Sequence, residues 1–270
     1  MPEGILEKQV SHWLEQQVPN FESPVDYQLI TGGHSNLTFK CEDATGRAVV
    51  LRRPPLGHVL ESAHDMSREY RIIHALRQTK VPVPEALGLC QDKTVNGADF
   101  YVMDFVEGVV LNDAVIGSTI PAQARPDLAH NVIHILCDLH DVDMDAVGLG
   151  TLGRKEAYLS RQLNRWNKQW QATKTHDIPE MEASSALLME RIPEQLGASI
   201  VHGDFRLGNM IVDQGRVEAI LDWELCTLGD PLADLGYLLN NWLGEDEVVG
   251  IDVADQPPTA VGGYPSRDTL

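Results

Sequence analysis

Cysteines, basic residues and long apolar runs are all scarce in this chain of 270 residues. The four cysteines are scattered without paired spacing, which argues against a disulfide framework and against a zinc site. No uninterrupted apolar run approaches the roughly 18 residues of a membrane-spanning helix, so no membrane contact is expected. Residues 1–8 contain neither a basic leader nor a long apolar stretch, and we therefore expect a cytoplasmic protein.

Positive charge is the second deficit. Lys and Arg number 21 against 40 Asp and Glu, which gives a formal net charge of −19. Residues 1–103 carry 10 basic and 13 acidic groups, whereas residues 104–270 carry 11 basic and 27 acidic groups. This balance argues against a nucleic-acid partner, because phosphate backbones require a basic face. The acidic second half either keeps the protein soluble or attracts a cationic small molecule.

The most informative stretch begins with His-Gly-Asp at residues 202–204. Asn209 follows five residues after Asp204, and Asp222 follows thirteen residues after Asn209. Phosphoryl transfer of the kinase type needs these groups in this order. One carboxylate orients the attacking hydroxyl and accepts its proton, while an amide oxygen and a second carboxylate hold magnesium on the nucleotide phosphates. We therefore predict that Asp204 is the catalytic base and that Asn209 and Asp222 are ligands of Mg²⁺.

The local pattern is expected to bring Asn209 and Asp222 together. Residues 209–213 and 216–221 are predicted strands, joined by a tight turn at residues 214–215. Because the open ends of a β-hairpin lie side by side, the two polar groups should be close enough to share a cation. His-Gly-Asp by itself is more often an ordinary turn. Three polar groups at these offsets favour the functional interpretation.

These motifs resemble those of the aminoglycoside phosphotransferase family of small-molecule kinases. More narrowly, they are similar to the kinase-like domains associated with acyl-CoA dehydrogenases. The resemblance runs from about residue 25 to residue 243, and it rests on residues 31–36, 51–55, 139–140, 202–209, 222–224 and 229–235. It implies an α+β, protein-kinase-like fold with two lobes. Residues 1–103 would form a small β-rich nucleotide-binding lobe, and residues 104–270 a larger helical lobe for catalysis and the acceptor.

The predicted secondary structure agrees with such a division. In the first half we predict helices over residues 5–18 and 62–78, and strands over residues 25–31, 37–41, 48–52, 87–90 and 100–103. In the second half we predict helices over residues 121–139, 157–173, 182–196 and 230–239. The acidic, Gly- and Pro-containing tail over residues 244–263 is predicted to be a loop.

A glycine-containing segment, Thr31-Gly32-Gly33-His34-Ser35-Asn36, lies between two predicted strands. Its glycines allow the backbone to approach a phosphate, and Ser35 and Asn36 can donate hydrogen bonds to it. An ordinary hairpin turn is the alternative for this motif by itself. The polar groups at residues 204, 209 and 222 favour phosphate binding.

Arg52 occupies the strand position where related kinases carry a phosphate-binding lysine. Arginine keeps the charge and can bind two phosphate oxygens at once. Glu69 on the following helix is the predicted ion-pair partner of Arg52, with an exposed helical glutamate as the alternative. Arg53 would face the opposite side of the strand, and we expect its loss to matter little.

Residues 100–106 resemble the strand and hinge that hold adenine in such kinases. The backbone of Asp104 and Val106 would make the contacts, so their side chains provide little evidence. A buried edge strand is a compatible alternative.

Two further pairs of polar residues have competing explanations. Asp230 and Asp234 resemble family positions that brace the catalytic loop, although a helix N-cap explains Asp230 equally well. His130 and His134 lie four residues apart on a predicted helix, as metal ligands can. With no third ligand evident, a solvated helical face is favoured over a zinc site.

The resemblance implies a phosphotransferase that uses ATP or GTP with Mg²⁺ and acts on a hydroxyl group of a small molecule. The dehydrogenase-linked branch suggests a hydroxyacyl or hydroxyacyl-CoA acceptor, whereas an amino sugar or amino alcohol would suit the acidic half. Two other classes remain open: a nucleotide-binding scaffold without turnover, and a metal-dependent phosphatase using His202, Asp204 and Asp222. A homodimer is compatible with the sequence.

Residues 264–270 resemble the beginning of a helix, with Ser266 as a good N-cap. Related kinases have further C-terminal helices that complete the large lobe. We therefore expect the 270-residue form to have an open acceptor side, with apolar surface on the large lobe that is exposed or covered by a partner chain.

Overall fold

The computed structural model describes residues 2–30, 36–57, 65–248 and 250–270. An antiparallel sheet with flanking helices forms the first half, and a mainly helical assembly with short strands forms the second. The α+β, two-lobed arrangement predicted from the sequence is confirmed. Within the described residues, no helix is both long and apolar enough to cross a membrane.

Five antiparallel strands form the sheet of the small lobe in the order β1-β2-β3-β5-β4. Their bounds are β1 (Asp26–Leu29), β2 (Leu37–Glu42), β3 (Ala48–Arg53), β4 (Ala86–Cys90) and β5 (Phe100–Asp104). The accompanying helices are α1 (Glu7–Gln17), α2 (Met66–Leu76) and the short α3 (Lys93–Asn96). Each predicted element of this half is present, within a few residues of its expected bounds.

The alternation of side chains along β3 divides the small lobe into two packed faces. Val49 and Leu51 belong to the core that α1 covers, together with Val10 and Leu14 of that helix. Val50 faces the opposite way and joins the core that contains α2. The alternation therefore places Arg52 on the α2 side of the sheet.

A second core links α2 to the large lobe. It contains Ile72 and Ile73 of α2, Met103 of β5, and residues of the large lobe such as Leu128 and Ile200. Asp65 caps the start of α2 by accepting a hydrogen bond from the backbone N–H of Arg68. The helix that carries Glu69 is thus fixed to both lobes.

The large lobe contains five helices and five short strands in the described part of the chain. The helices are α4 (Ala114–Gly117), α5 (Arg125–His140), α6 (Tyr158–Thr173), α7 (Pro179–Glu190) and α8 (Leu232–Asn240). The strands are β6 (Val109–Val110), β7 (Ser199–Val201), β8 (Met210–Asp213), β9 (Arg216–Ile220) and β10 (Thr227–Gly229). They form the sheets β6-β8-β9 and β10-β7.

The predicted hairpin is formed by β8 and β9. Asp213 pairs with Arg216, and the two residues between them, Gln214 and Gly215, have φ angles of 46° and 78°. Two positive φ values match a type I′ turn, whose twist suits the flanking strands. The open end of the hairpin closes where the backbone N–H of Leu221 donates to the carbonyl of Asn209 at 2.8 Å.

Two predictions for the large lobe need correction. Helix α7 ends at Glu190 rather than Leu196, because Pro193 cannot continue a helix, and it begins three residues early, with Pro179 in its first turn. In its described residues, the tail over residues 244–263 contains three short 3-10 helices in addition to loop, and it packs on the lobe, where Thr259 and Ala260 are buried and the Thr259 hydroxyl donates to Leu243. Residues 266–270 form a single turn, in agreement with the predicted beginning of a helix.

The packing of the tail requires a glycine in α4. A Cβ on Gly117 would lie 2.6 Å from the carbonyl oxygen of Pro258, closer than a Cβ atom can approach an oxygen. The segment around Pro258 therefore lies directly on α4.

Several apolar side chains of the large lobe are exposed to solvent. Helix α7 buries none of its residues, and Leu187 and Leu188 are exposed. Leu196, beyond the end of the helix, is 73% exposed. The face of the lobe around α7 is therefore apolar and open in this structure.

Candidate active site

A buried carboxylate from α8 shapes the loop that carries Asp204. Asp234 is fully buried, and its two oxygens accept hydrogen bonds from the backbone N–H groups of His202 and Gly203, each at 2.8 Å. The ring of His140 lies 3.2 Å from the same carboxylate. Asp234 therefore braces the loop. The carboxylate of Asp230 instead accepts a hydrogen bond from the backbone N–H of Leu232 at the start of α8.

Gly203 lets the loop turn sharply before Asp204. Its φ of 86° lies in the left-handed region, and a Cβ would approach the Cβ and carbonyl oxygen of Leu225 to 3.0 Å. A larger residue here would therefore both strain the backbone and push against Leu225.

Three side chains contact the carboxylate of Asp204. The amide of Asn209 donates to one oxygen at 2.7 Å, and the Nε of Arg206 lies 3.2 Å from the other. Tyr237 of α8 also forms a side-chain hydrogen bond with Asp204; burial first, and then this carboxylate, raise the pKa of the Tyr237 hydroxyl. The carboxylate is oriented from three sides and remains partly exposed to solvent.

Asn209 and Asp222 lie at the open end of the hairpin, as predicted. The side-chain nitrogen of Asn209 donates to the carbonyl and carboxylate of Asp204, which leaves Oδ1 as the acceptor of that amide. Asp222 has a left-handed backbone, with φ of 65°, a conformation that aspartate tolerates better than most residues. An amide oxygen and a carboxylate suit Mg²⁺, which completes its shell with phosphates and water.

Arg52 lies among three carboxylates that come from both lobes. Its guanidinium is 3.0 Å from Glu69, 2.5 Å from Asp222 and 3.6 Å from Glu224. The predicted Arg52–Glu69 ion pair is therefore present. When all three acids are ionised, the cluster has a surplus of two negative charges, which a divalent cation would offset.

Arg53 differs from our expectation. It is buried, and its guanidinium donates to the carbonyl groups of Gly4, Asn96 and Pro54. The alternation along β3 correctly predicts that Arg53 faces away from Arg52, but that face is covered by the N-terminal segment and α3. Its loss should therefore affect stability, while the expectation that it matters little for nucleotide binding stays a prediction.

The other nucleotide-binding candidates are only partly described. Ser35 and the preceding residues 31–34 lie outside the described ranges. Asn36 is buried, and its amide donates to Glu69 at 3.2 Å and to Glu224 at 3.0 Å. Asp104 ends β5, its backbone N–H donates to Glu85, and Val106 follows in a half-buried position.

The sequence analysis did not identify two residues that contact the candidate site, Tyr101 and Glu224. The hydroxyl of Tyr101 donates to Glu69 at 3.0 Å, and Glu224 contacts both Asn36 and Arg52. Glu224 could have been suspected, since it follows Asp222 by two residues. Tyr101 offered no signal beyond an ordinary buried aromatic residue. His130 and His134 are exposed on α5, and no cluster of three or more potential metal ligands was found among the described residues.

A cavity of about 300 Å³ opens beside the loop that follows Asp204. Its charged side chains are Arg206 and Asp255, and it is otherwise lined by amide, apolar and backbone groups of Asn112, Leu207, Gly208, Asn240, Asn241, Leu243, Gln256, Pro257 and Pro258. The tail that packs on α4 thus supplies one wall of the cavity.

The sequence profile of the phosphotransferase enzyme family matches residues 26–265. The chain belongs to this family. The profile covers the small-lobe sheet, Asp204, the hairpin and α8, so every element that positions the candidate site falls within the family match.

Relatives of this phosphotransferase-family chain include acyl-CoA dehydrogenase family proteins and solved structures of phosphotransferases. Acyl-CoA dehydrogenase family member 10 of Mus musculus is 38% identical over 239 residues, which cover 88% of this chain but only 22% of that protein. The chain therefore spans less than a quarter of this relative.

Solved structures are the second of these two groups. A Ralstonia eutropha protein described as a putative aminoglycoside phosphotransferase has a TM-score of 0.77 and 34% identity, over 97% of this chain and 77% of that chain. The streptomycin–ATP ternary complex of APH(2″)-IIa has a TM-score of 0.60 and 19% identity, over 86% of this chain and 74% of that chain. The protein-kinase-like fold is confirmed.

Replacing Arg52 with alanine is expected to weaken the binding of ATP about tenfold to a hundredfold and to leave adenosine binding unchanged. The reason is that the phosphates of ATP carry the negative charge that a guanidinium attracts, whereas adenosine carries none. Titration calorimetry with the two ligands measures the difference. Arg53→Ala is the matched control: it should lower the melting temperature, because it removes buried hydrogen bonds, without changing the ratio of ATP to adenosine affinity. The opposite pattern would place the phosphate contact on Arg53.

The ionisation of Glu69 is expected to make ATP binding depend on pH. Burial raises the pKa of Glu69 to about 7, against the opposing effects of Arg52 and the Tyr101 hydroxyl. As the pH rises through about 7, Glu69 should lose its proton and hold Arg52 more firmly, so ATP affinity should increase. Titrations of the native chain and Glu69→Gln across this range test the idea. A pH dependence that persists unchanged in Glu69→Gln would contradict it.

The same ionisation should act in the opposite direction on stability. In the unfolded chain the pKa of a glutamate is about 4.3. The folded state therefore keeps Glu69 protonated up to a higher pH than the unfolded state does. The stability that Glu69 contributes is present below the unfolded pKa and is lost as the pH rises through about 7. Denaturant unfolding of the native chain and Glu69→Gln at several pH values measures this contribution.

Proposed function

We propose that this chain transfers the γ-phosphoryl group of ATP to a hydroxyl group of a small hydroxyacyl compound. The observation that supports the reaction type is the position of Asp204. Asp204 accepts a hydrogen bond from Asn209, contacts Arg206, which lines the cavity, and lies on a loop that Asp234 braces. Arg52 contacts Asp222 at one end of the hairpin, and Asp204 contacts Asn209 at the other strand's end. These contacts support a cleft shared by the proposed phosphate-binding group and the proposed proton acceptor.

In the proposed reaction Asp204 accepts the proton of the acceptor hydroxyl as that oxygen attacks the γ-phosphorus. The bond between the γ-phosphorus and the oxygen bridging to the β-phosphate breaks, and ADP leaves. Asn209 and Asp222 would hold Mg²⁺, which offsets charge on the phosphates. Arg52, oriented by Glu69, would steady the phosphates, and the backbone at Asp104 and Val106 would contact the base.

The charges around the cavity favour an acceptor that carries a negatively charged or carbonyl-containing group. Although the second half of the chain is acidic, the cavity itself has one acidic and one basic side chain. The basic one, Arg206, is in contact with Asp204, so a cationic acceptor would meet a guanidinium beside the reacting hydroxyl. The similarity to an acyl-CoA dehydrogenase family member is a further reason to propose a hydroxyacyl group.

An amino-sugar acceptor is the second candidate. The streptomycin–ATP complex shows that a protein of this fold binds such a compound with ATP. The surplus of acidic residues in the second half of this chain would favour a polycation. The two candidates differ in the sign of the acceptor charge, and this difference can be measured.

An acceptor panel tests the proposal. The purified chain is incubated with ATP and Mg²⁺ and, in turn, with hydroxy acids, hydroxyacyl-CoA thioesters, neutral sugars and amino sugars, and ADP and phosphorylated product are both measured. We expect product from the hydroxyacyl compounds. Product from amino sugars alone would support the second candidate, and ATP binding without product from any acceptor would indicate a scaffold.

Arg206→Gln sharpens the panel. It should reduce kcat/KM for anionic acceptors about tenfold more than for neutral ones, because the charge acts only on the former. If the substitution also disturbs Asp204, kcat/KM falls equally for anionic and neutral acceptors. The ratio of the two kcat/KM values therefore reports only the effect of the acceptor charge. Arg216→Gln, at an exposed position on β9, is the matched control and should leave the ratio unchanged. An unchanged ratio in Arg206→Gln would contradict the assignment.

A further inference from the structure

A contact between residues 188 positions apart in the sequence joins the two lobes at the cleft. The side-chain nitrogen of Asn36, immediately before β2, donates to Glu224 at 3.0 Å and to Glu69 at 3.2 Å. The same Glu224 oxygen lies 3.6 Å from the guanidinium of Arg52. Asn36 directly precedes β2 and Arg52 lies on β3, so Glu224 contacts residues at two neighbouring strands of the small lobe.

The position of Glu224 is fixed by its neighbours. The preceding Trp223 is fully buried, its indole nitrogen donates to the carbonyl of Ile220, and its ring lies 4.6 Å from that of His202. The backbone N–H of Cys226, two residues after Glu224, donates to the carbonyl of Trp223. The carbonyl of Cys226 accepts a hydrogen bond from the guanidinium of Arg68 on α2. The turn that carries Glu224 is therefore held by both lobes.

The surroundings make these contacts stronger than surface ones. Asn36 is 5% exposed, and the side chains of Arg52 and Glu224 are 12% and 21% exposed. Hydrogen bonds to a carboxylate in such partly desolvated positions are stronger than neutral ones in water. In addition, the backbone of Asp222 lies two residues away on the same short turn, so any shift of Glu224 moves Asp222 as well.

We propose that Glu224 is a positioning residue: it ties Asn36 and Arg52 of the small lobe to the turn that carries Asp222. The tie sets the distance between the phosphate-binding side of the cleft and the proposed magnesium ligand. This inference rests on the proposed function, in that Arg52 and Asp222 are the groups that face the nucleotide. Glu224 itself acts through them and does not bind the metal.

Hydrogen exchange tests the contacts of Glu224 with Asn36 and Arg52, and it needs neither nucleotide nor acceptor. In Glu224→Ala and in Asn36→Ala, amide exchange at the start of β2 (Leu37–Phe39) should become about tenfold faster. The effect of the double variant should be smaller than the sum of the two single effects, because both substitutions remove the shared bond between Asn36 and Glu224. Glu218→Ala, at an exposed position on β9, is the matched control and should exchange as the native chain does. Additive effects, or no change in Glu224→Ala, would overturn the proposal.

Nucleotide binding provides the second measurement. Glu224→Ala should weaken Mg-ATP binding about tenfold and leave adenosine binding unchanged. Glu224→Gln should recover most of the affinity, because its amide oxygen still accepts from Asn36. An increased requirement for free Mg²⁺ with unchanged exchange would make Glu224 a metal ligand and overturn the positioning role. Failure of the acceptor panel alone would reject the proposed function and leave the exchange result valid.

Discussion

Asp204→Asn is expected to lower kcat by about two to four orders of magnitude while the affinity for ATP stays close to that of the native chain. The amide cannot accept the proton of the acceptor hydroxyl, yet it keeps the shape of the side chain and can still accept the hydrogen bond from Asn209. Steady-state kinetics with the acceptor found by the panel, or ATP hydrolysis in its absence, measures the rate. Calorimetry measures the affinity.

The matched control for this substitution is Asp213→Asn. It removes an exposed carboxylate from the same hairpin and should change neither the rate nor the affinity. If Asp204→Asn lost ATP binding and its remaining rate were undiminished, Asp204 would be a structural residue, and the proposed reaction would need another base.

Asp222→Ala is expected to abolish the magnesium dependence of nucleotide binding, with a loss of Mg-ATP affinity of about a hundredfold or more. Asn209→Ala should weaken Mg-ATP binding by about tenfold. The structure adds a further expectation: because Asp222 lies 2.5 Å from Arg52, its removal leaves the guanidinium with one carboxylate fewer to neutralise its charge. ATP without magnesium should therefore bind to Asp222→Ala at least as well as to the native chain.

Titrations of ATP with and without magnesium distinguish these effects, with Asp213→Ala as the control. Equal metal dependence in the native chain and in both site variants would reject Asn209 and Asp222 as the magnesium ligands. A parallel loss of ATP affinity with and without metal in Asp222→Ala would show that the substitution disrupts the cleft itself.

Local periodicity predicted the parts of the site that depend on neighbouring residues. The alternation along β3 separates Arg52 from Arg53, and the two-residue turn at Gln214-Gly215 sets the register that brings Asn209 towards Asp222. Both depend on backbone geometry that a few adjacent residues determine. The placement of Glu69 opposite Arg52 followed from the family resemblance rather than from periodicity.

Other parts depend on contacts between distant segments. Tyr101 of β5 donates to Glu69 of α2, and β6 and β10 are very short strands that exist through pairing with β8 and β7. No local pattern signals such pairing. The burial of Arg53 was missed for a related reason: periodicity assigns a side chain to a face of the sheet but does not show what covers that face.

The brace formed by Asp234 has a consequence for the order in which the chain acquires activity. The loop at residues 202–204 obtains two of its hydrogen bonds from a carboxylate located about thirty residues later, on α8. During synthesis or refolding, Asp204 cannot take up its observed orientation until α8 has docked. The proposed phosphoryl transfer should therefore appear only after α8 has docked.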